Sequence, residues 1–552
     1  MFYERRRSPG VRGSAGHHGA KPLRNRYVVT FKDDVSAKQV DQLAKALSHQ
    51  HGGRLLATMK YAVRGFGVEL PEGAVFGLSH NPLIKLIEED QFLEMSAGET
   101  PTAPREHERR QFDFRGTMVP RKPIETSTSS CPWNAAGYYV CMNGYANDVY
   151  WNLDRIDNTG QLYGTKAYAY NSMGTSVRAY VVDSGVYAAH QEFEGRVVSG
   201  ANMMVDPDIA DSPELGDSEE SAIALDYALE TNPCGGWVAG GDDAGIGHGT
   251  AVASVIGGNT TGVAKNVTIV PVKVVNCAGA GSMLAMARGL DWIYKDMKCP
   301  NKTPVNDDPD SDSQCQARSN RAVVNMSVLF TSNLANIYCE DPHNTTNSPI
   351  GYSLCISSIE HEVNTLIGGN IPVVVAVGNQ NDHNCTMTPS RLGYGNEPVY
   401  DQNGNLVAGI ASTYRTITVG ATAFDPSTNT DQRWSCIDTP AQCPQPWDTS
   451  SDPGSNYGRC VSIWAPGWKV KVAGAGSSTS YRSPGKPSTG TSFATPLVTG
   501  AVARLLQWYP TLTPQQIWTE LVNRANQRVN PPDFDPLSTV FNNKLLYMSP
   551  FE

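Results

Sequence analysis

The chain has 552 residues, 40% hydrophobic and 18% charged, with a formal net charge of -10. That length and apolar content suffice for a large core plus a second, small domain. No basic run is long enough for a nucleic-acid face, and no stretch of about 18 apolar residues offers a membrane span, so neither nucleic acid nor membrane is expected as a partner.

Residues 1–25, with the Arg5-Arg6-Arg7 cluster, read as a disordered N-terminus. They hold no apolar core of a secretory leader, so either the start lies upstream of Met1 or export takes another route. Residues 26–96 form a separate α+β unit. Arg26–Lys32 alternates like a strand, and Ser36–His49 carries Val40, Leu43, Ala46 and Leu47 at helical spacing. A strand at Gly65–Leu70, a second helical segment and a strand at Leu83–Asp90 complete it. Residues 97–130, rich in Pro, Arg and Glu without periodicity, read as a linker.

Residues 131–552 read as one large domain. Ala179–Val186 is an apolar strand that ends in Asp183 and a glycine turn. An acidic insertion at about 200–245 follows, with Asp206, Asp208, Asp211, Glu214, Asp217, Glu219, Glu220, Asp242 and Asp243. Solvated surface is its ordinary reading, and a calcium loop the other, because hard cations take clustered oxygen ligands. Gly247–Gly257 sets His248 at the start of a helix of small residues. Val267–Val275 is a strand and Ser282–Met297 an amphipathic helix, and the alternation continues through 321–328, 354–367, 371–377 and 416–420. Ile371–Gln380 is a buried strand running into Asn379. Such alternation predicts an α/β fold, a mostly parallel sheet with helices on both faces.

Pro487–Pro496 places Ser492 after Gly490-Thr491 and before an apolar helix, where first-turn N–H groups favour nearby negative charge. Pro496 falls where a missing N–H costs least. Thr513–Val522 reads as a capped surface helix. Singly, Ser492 could be an N-cap, Asp183 a cap and His248 a buried core histidine. Together they supply a nucleophile, a base and a carboxylate that orients the base. All twelve cysteines lie between Cys131 and Cys460, which suggests disulfides in an oxidising compartment. Glycosylation acceptors occur at Asn259, Asn266, Asn301, Asn344 and Asn384; Asn325 also fits the pattern but lies in an apolar strand.

These stretches resemble the subtilisin-like serine protease family, nearest its proteinase K-like branch, in the chain order Asp, His, Ser. His190–Arg196 and Trp151–Asp157 are similar to that branch too, and the likeness runs from about residue 150 to 525. The resemblance implies a subtilisin-like sheet, a secreted serine endopeptidase, and catalytic roles for Asp183, His248 and Ser492, with Asn379 in the oxyanion hole. It implies that residues 26–96 are an inhibitory propeptide acting in cis, an unrelated binding module being the alternative. Polypeptides are then the substrates and a monomer is expected. No cofactor is needed for the chemistry, no metal ligands can be assigned, and a structural calcium stays open.

Two departures from the family stand out. Ala251 replaces a histidine behind His248, which implies a packing change. Ser327-Val328-Leu329-Phe330 stands where relatives carry glycines that line the specificity pocket, so Leu329 and Phe330 are expected to disfavour bulky aromatic residues before the scissile bond. The competing reading is a protease-like binding protein whose altered pocket takes no substrate. A third, an α/β hydrolase, would need a GxSxG elbow and the order Ser, Asp, His, neither of which is present.

Overall fold

The computed structural model describes residues 21–71, 73–94, 139–142, 151–157, 167–204, 247–275, 280–298, 317–318, 321–331, 337–339, 357–382, 387–394, 399–400, 406–408, 414–425, 430–435, 454–482, 488–530 and 543–548. The acidic insertion, the linker and most of the cysteines lie outside these residues.

The N-terminal unit contains β1 (Lys21–Phe31), α1 (Ala37–Gln50), β2 (Arg54–Met59), β3 (Gly65–Glu69), α2 (Ala74–Ser79) and β4 (Ile84–Glu94). Its strands run antiparallel in the order β4-β1-β3-β2. Ser36 and Gln39 form a capping box that fixes where α1 begins. Val40, Ala44 and Leu47 of α1, with Val75 and Leu78 of α2, close over Val29, Phe31, Phe66, Val68 and Ile87 in a core of their own. Alternation sends Val28 and Met59 to the other face of the sheet, where they join the core of the large domain.

The large domain continues with β5 (Tyr139–Met142), α3 (Trp151–Ile156), β6 (Ala167–Tyr170), β7 (Val177–Asp183), β8 (Ala201–Asn202), α4 (His248–Gly257), β9 (Thr268–Lys273), β10 (Ala280–Ser282) and α5 (Met283–Lys298). After these come β11 (Arg321–Met326), β12 (Phe330–Thr331), β13 (Ile337–Cys339), α6 (Ser358–Gly368), β14 (Val373–Ala376), β15 (Met387–Thr388), β16 (Val399–Tyr400) and β17 (Leu406–Ala408). The last elements used below are β18 (Ile417–Asp425), β19 (Thr430–Arg433), β20 (Ile463–Pro466), α7 (Thr491–Trp508) and α8 (Pro514–Arg524). Among the described residues seven strands pair in parallel in the order β8-β9-β7-β11-β14-β18-β20, and Leu545 of a two-residue strand pairs in parallel with Trp464 of β20.

Both faces of this sheet are covered, which is why its strands read as unbroken apolar runs. Val177, Ala179 and Val181 of β7 meet α4 and α7 on one side, whereas Tyr180 and Val182 meet α5 and α6 on the other. The mostly parallel sheet with helices on both faces is therefore as the sequence predicts. Among the described residues no helix is long and apolar enough to cross a membrane.

The two units share a sheet. β4 pairs antiparallel with β10, Phe92 to Glu94 opposite Ser282 to Ala280, and with β13, Leu86 to Glu88 opposite Cys339 to Ile337. Carboxylates fix this docking at helix ends, where backbone N–H groups lack intrahelical partners. Glu88 accepts from the Ser358 N–H (2.9 Å) and hydroxyl (2.8 Å) at the start of α6. Asp90 accepts from the Leu284 N–H at the start of α5 (3.1 Å) and pairs with Arg26. In return, Asp291 of α5 accepts the N–H groups of Lys60, Tyr61 and Ala62 at 3.1, 2.6 and 2.6 Å.

Candidate active site

β7 ends at Asp183, at the carboxyl edge of the parallel sheet, where sites assemble in open α/β folds. Its Oδ1 accepts the Ser184 N–H at 2.8 Å. His248 opens α4 after Gly247 and brings Nδ1 to 2.8 Å from Oδ1 and 3.0 Å from Oδ2 of Asp183. Both side chains are fully buried. A carboxylate only accepts, so Nδ1 carries the proton and Nε2 is the basic nitrogen of the neutral ring. The approach is sewn together by the Ser184 hydroxyl, which accepts from Gly249 N–H at 2.9 Å, and by Thr250 Oγ1, which accepts from Tyr187 N–H at 2.7 Å. A Cβ on Gly249 would lie 2.0 Å from the Gly185 carbonyl oxygen, so this crossing requires glycine. Lys273, opposite Asp183 on β9, donates to the Ser184 carbonyl.

Ser492 is the second residue of α7 and is buried. Its neighbour Phe493 packs edge-on against the His248 ring, with centroids 5.5 Å apart. The Ser492 hydroxyl donates to the Ser327 carbonyl at 3.1 Å, and the Ser327 hydroxyl donates to the Ser492 carbonyl at 3.1 Å. Asn379 follows β14, and its Oδ1 accepts both the N–H and the hydroxyl of Thr491 at 2.9 Å. Thr491 Oγ1 also accepts from Gly378 N–H at 3.3 Å. These bonds settle which end of the Asn379 amide is the acceptor, and set its Nδ2 beside the first turn of α7.

Residues 174–538 match the model of the subtilase family, Peptidase_S8. The chain belongs to that family. The extracellular serine proteinase of Thermus sp. (strain Rt41A) is 28% identical over 533 residues, 93% of this chain and 88% of that protein. Alkaline serine exoprotease A of Vibrio alginolyticus is 29% identical over 387 residues, 70% of this chain and 49% of that one. The crystal structure of a cold adapted subtilisin-like serine proteinase aligns at 27% identity and a TM-score of 0.44, over 73% of this chain and 98% of that chain.

In this subtilase the structure brings Asp183, His248, Ser492, Asn379 and Ser327 to one edge of the sheet. Of the expected pocket residues, Val328 and Phe330 are buried in the core shared with α5 and α6, and Leu329 is half-buried against it. Phe330 pairs with Thr388 of β15. The bulk of Phe330 thus lies in the core, and Leu329 is the more exposed of the two. Ala251 is fully buried in the core beneath α4. Thr499 was not singled out by sequence reasoning, which named Ser327 only as a pocket residue and Asn325 only as a discounted glycosylation acceptor; the signal available was an asparagine in the middle of an apolar strand. Among the described residues no group of three or more His, Cys, Asp or Glu side chains fits a metal ion.

The interface beside this edge is electrostatically unusual. Burial pushes the Glu88 carboxyl up to about 7, partly opposed by its bonds to Ser358. Burial likewise pushes Asp291 up to about 6. Glu362 of α6, fully buried, is held well above the usual carboxylate range by burial first and by the Asp291 charge second, with Arg64 opposing. His361 is pushed down to about 4 by burial, with Lys85 adding to it.

Proposed function

We propose that this subtilase is a serine endopeptidase made as a self-cleaving precursor, with Asp183, His248 and Ser492 as its catalytic triad and Asn379 as an oxyanion donor. The buried carboxylate–imidazole pair, 2.8 and 3.0 Å between Asp183 and His248 Nδ1, is the observation that carries this reading. Asp183 holds the tautomer that leaves Nε2 basic. His248 takes the Ser492 hydroxyl proton as Oγ attacks the substrate carbonyl, then returns it to the leaving amine. The Asn379 amide and the Ser492 N–H hold the tetrahedral oxyanion, each such donor being worth about 3–4 kcal/mol of barrier. Water then attacks the ester on Ser492 Oγ, with His248 as base again, and releases the acid.

Residues 26–96 serve as the propeptide. The support is the pairing of β4 with β10, which runs the end of the unit alongside the edge that holds the triad. Self-cleavage falls between Met95 and Trp151, in the first third of that span, after β4 gives out. Trimming by other proteases at Arg105, Arg109-Arg110 or Arg115 in the linker is the competing source of the same fragments. The enzyme is secreted, a reading supported by the disulfide-bonded Cys460 and by a Thermus relative that is named extracellular, and a monomer is its expected state. Calcium, if bound, serves structure rather than chemistry.

The wild-type chain refolded alone should yield two fragments, and Ser492→Ala should stay whole. Cleavage of the alanine variant at the same bond in a purified system would end the self-processing reading. Labelling of Ser492 by a serine-directed phosphonate separates an enzyme from a protease-like binder, whose pocket would resist it.

A further inference from the structure

In the interior of β11 an amide side chain interrupts the apolar run. Asn325 lies in β11 between Val181 of β7 and Val374 of β14, and it is fully buried. Those two valines contribute to the core under α4 and α7. An amide at such a position costs stability unless its donors and acceptor are used. Its Oδ1 accepts from Thr499 Oγ1 at 2.8 Å, and its Nδ2 donates to Ser327 Oγ at 3.0 Å. Ser327 Oγ in turn donates to the Ser492 carbonyl at 3.1 Å.

The last acceptor explains the arrangement. In a helix the Ser492 carbonyl would accept from the N–H four residues on. That residue is Pro496, which has none. The proline opens the carbonyl of the nucleophilic residue, and the Ser327 hydroxyl supplies the bond the helix cannot make. Donor directions then run from Thr499 to Asn325 to Ser327 to Ser492, the Thr499 hydroxyl lying closer to Asn325 Oδ1, at 2.8 Å, than to the Thr495 carbonyl, at 3.2 Å. The chain leaves α7 two turns beyond Ser492 and returns to it through β11. Thr499, Asn325, Ser327 and Ser492 are all buried, so water does not compete for these bonds. The return bond, Ser492 Oγ to the Ser327 carbonyl, ties the nucleophile to the first residue after β11.

We propose that Asn325 and Thr499 are positioning residues for acylation, which act through the Ser327 hydroxyl to set Ser492 in register with the end of β11. The proposal rests on Ser492 being the nucleophile. Acyl transfer is sensitive to placement, and an error of about 1 Å in a positioned group costs on the order of 100-fold in rate. A buried hydrogen-bonded chain on a strand and a helix is a rigid way to hold that register.

The test uses the full chain, self-processed, with activity expressed per site titrated by a serine-directed phosphonate. Thr499→Val keeps the shape and removes the first donor. Asn325→Asp keeps the bond from Thr499 and removes the donor to Ser327. Each should lower kcat on a peptide amide about tenfold with KM within twofold, and lower hydrolysis of the matching ester, limited by deacylation, much less. Thr499→Ser, which restores the donor, should return kcat to within twofold of wild type. The double variant should lose no more than the worse single one, because both act on one chain. An unchanged kcat per titrated site in Thr499→Val, with only a lower Tm, would make the chain a structural staple and overturn the proposal. Failure of the wild-type protein to take up the phosphonate would instead overturn the nucleophile assignment beneath it.

Discussion

Replacing Glu88 by Gln in the Ser492→Ala chain tests the electrostatics of the shared sheet. Gln keeps an oxygen for the Ser358 N–H and hydroxyl and removes the ionisable proton. The carboxyl moves from 4.5 when exposed to about 7 when docked. A raised carboxyl favours docking fully below 4.5 and loses that contribution as pH rises through about 7. At about 1.4 kcal/mol per pH unit, the full change is on the order of 3 kcal/mol, most of which falls between pH 5 and 8. Glu362 and Asp291 act in the same direction, and His361, pushed down to about 4, acts in the opposite one below 6.5. These contributions are common to both proteins, so they cancel in the difference between them. Amide hydrogen exchange of β4, corrected for the intrinsic rate at each pH, reads the opening free energy directly. The difference between Glu88→Gln and its parent should shift by roughly 2 to 3 kcal/mol in favour of Gln from pH 5 to 8. A difference that stays constant would mean that Glu88 is ionised throughout, held by Ser358 and the neighbouring Arg391, and the reasoning would fail.

Other expectations follow from the site. Asn379→Ala should lower kcat by about 100- to 1,000-fold in steady-state peptide hydrolysis, while phosphonate labelling shows that the fold survives. Gly249→Ala forces α4 away from the Gly185 carbonyl, so kcat should fall about tenfold or more through loss of the Asp183–His248 register. On a peptide library, small apolar residues should be preferred before the scissile bond, and Leu329→Gly should widen that tolerance. Phe330→Gly should instead cost about 3–5 kcal/mol in denaturation experiments, because its ring fills the core.

The triad elements were legible because each pairs a strong local pattern with a functional residue at its end. An apolar strand stops at Asp183, a small-residue helix starts at His248, and Gly490 precedes the helix of Ser492. Helix boundaries were equally readable where side chains cap them: α8 starts at Pro514 behind a Thr513–Gln516 capping box. What was hidden depends on long-range pairing. β10 and β13 are three residues each, too short to show periodicity, and they exist as strands because β4 arrives to pair with them. Asn325 looked anomalous in its strand because its partners sit on another element and in the next loop. Leu329 and Phe330 read alike in the sequence, yet one lines the core and the other stays half-buried, a difference set by the pairing of β12 with β15.

The shared sheet also bears on how the chain is made. β4 is the edge of its own four strands until β10 and β13 have been synthesised. At the usual rate of elongation that leaves a bare edge for roughly ten to fifty seconds. Such an edge is a template for pairing with other copies of the same strand. Its sequence, Ile84-Lys-Leu-Ile-Glu-Glu-Asp-Gln-Phe-Leu-Glu94, interrupts two apolar patches with three consecutive acids. Two of those, Glu88 and Asp90, later sit at the ends of α6 and α5. The same side chains whose oxygens accept hydrogen bonds across the finished interface can therefore keep nascent chains apart as exposed carboxylates, acting as gatekeepers until their own helices arrive.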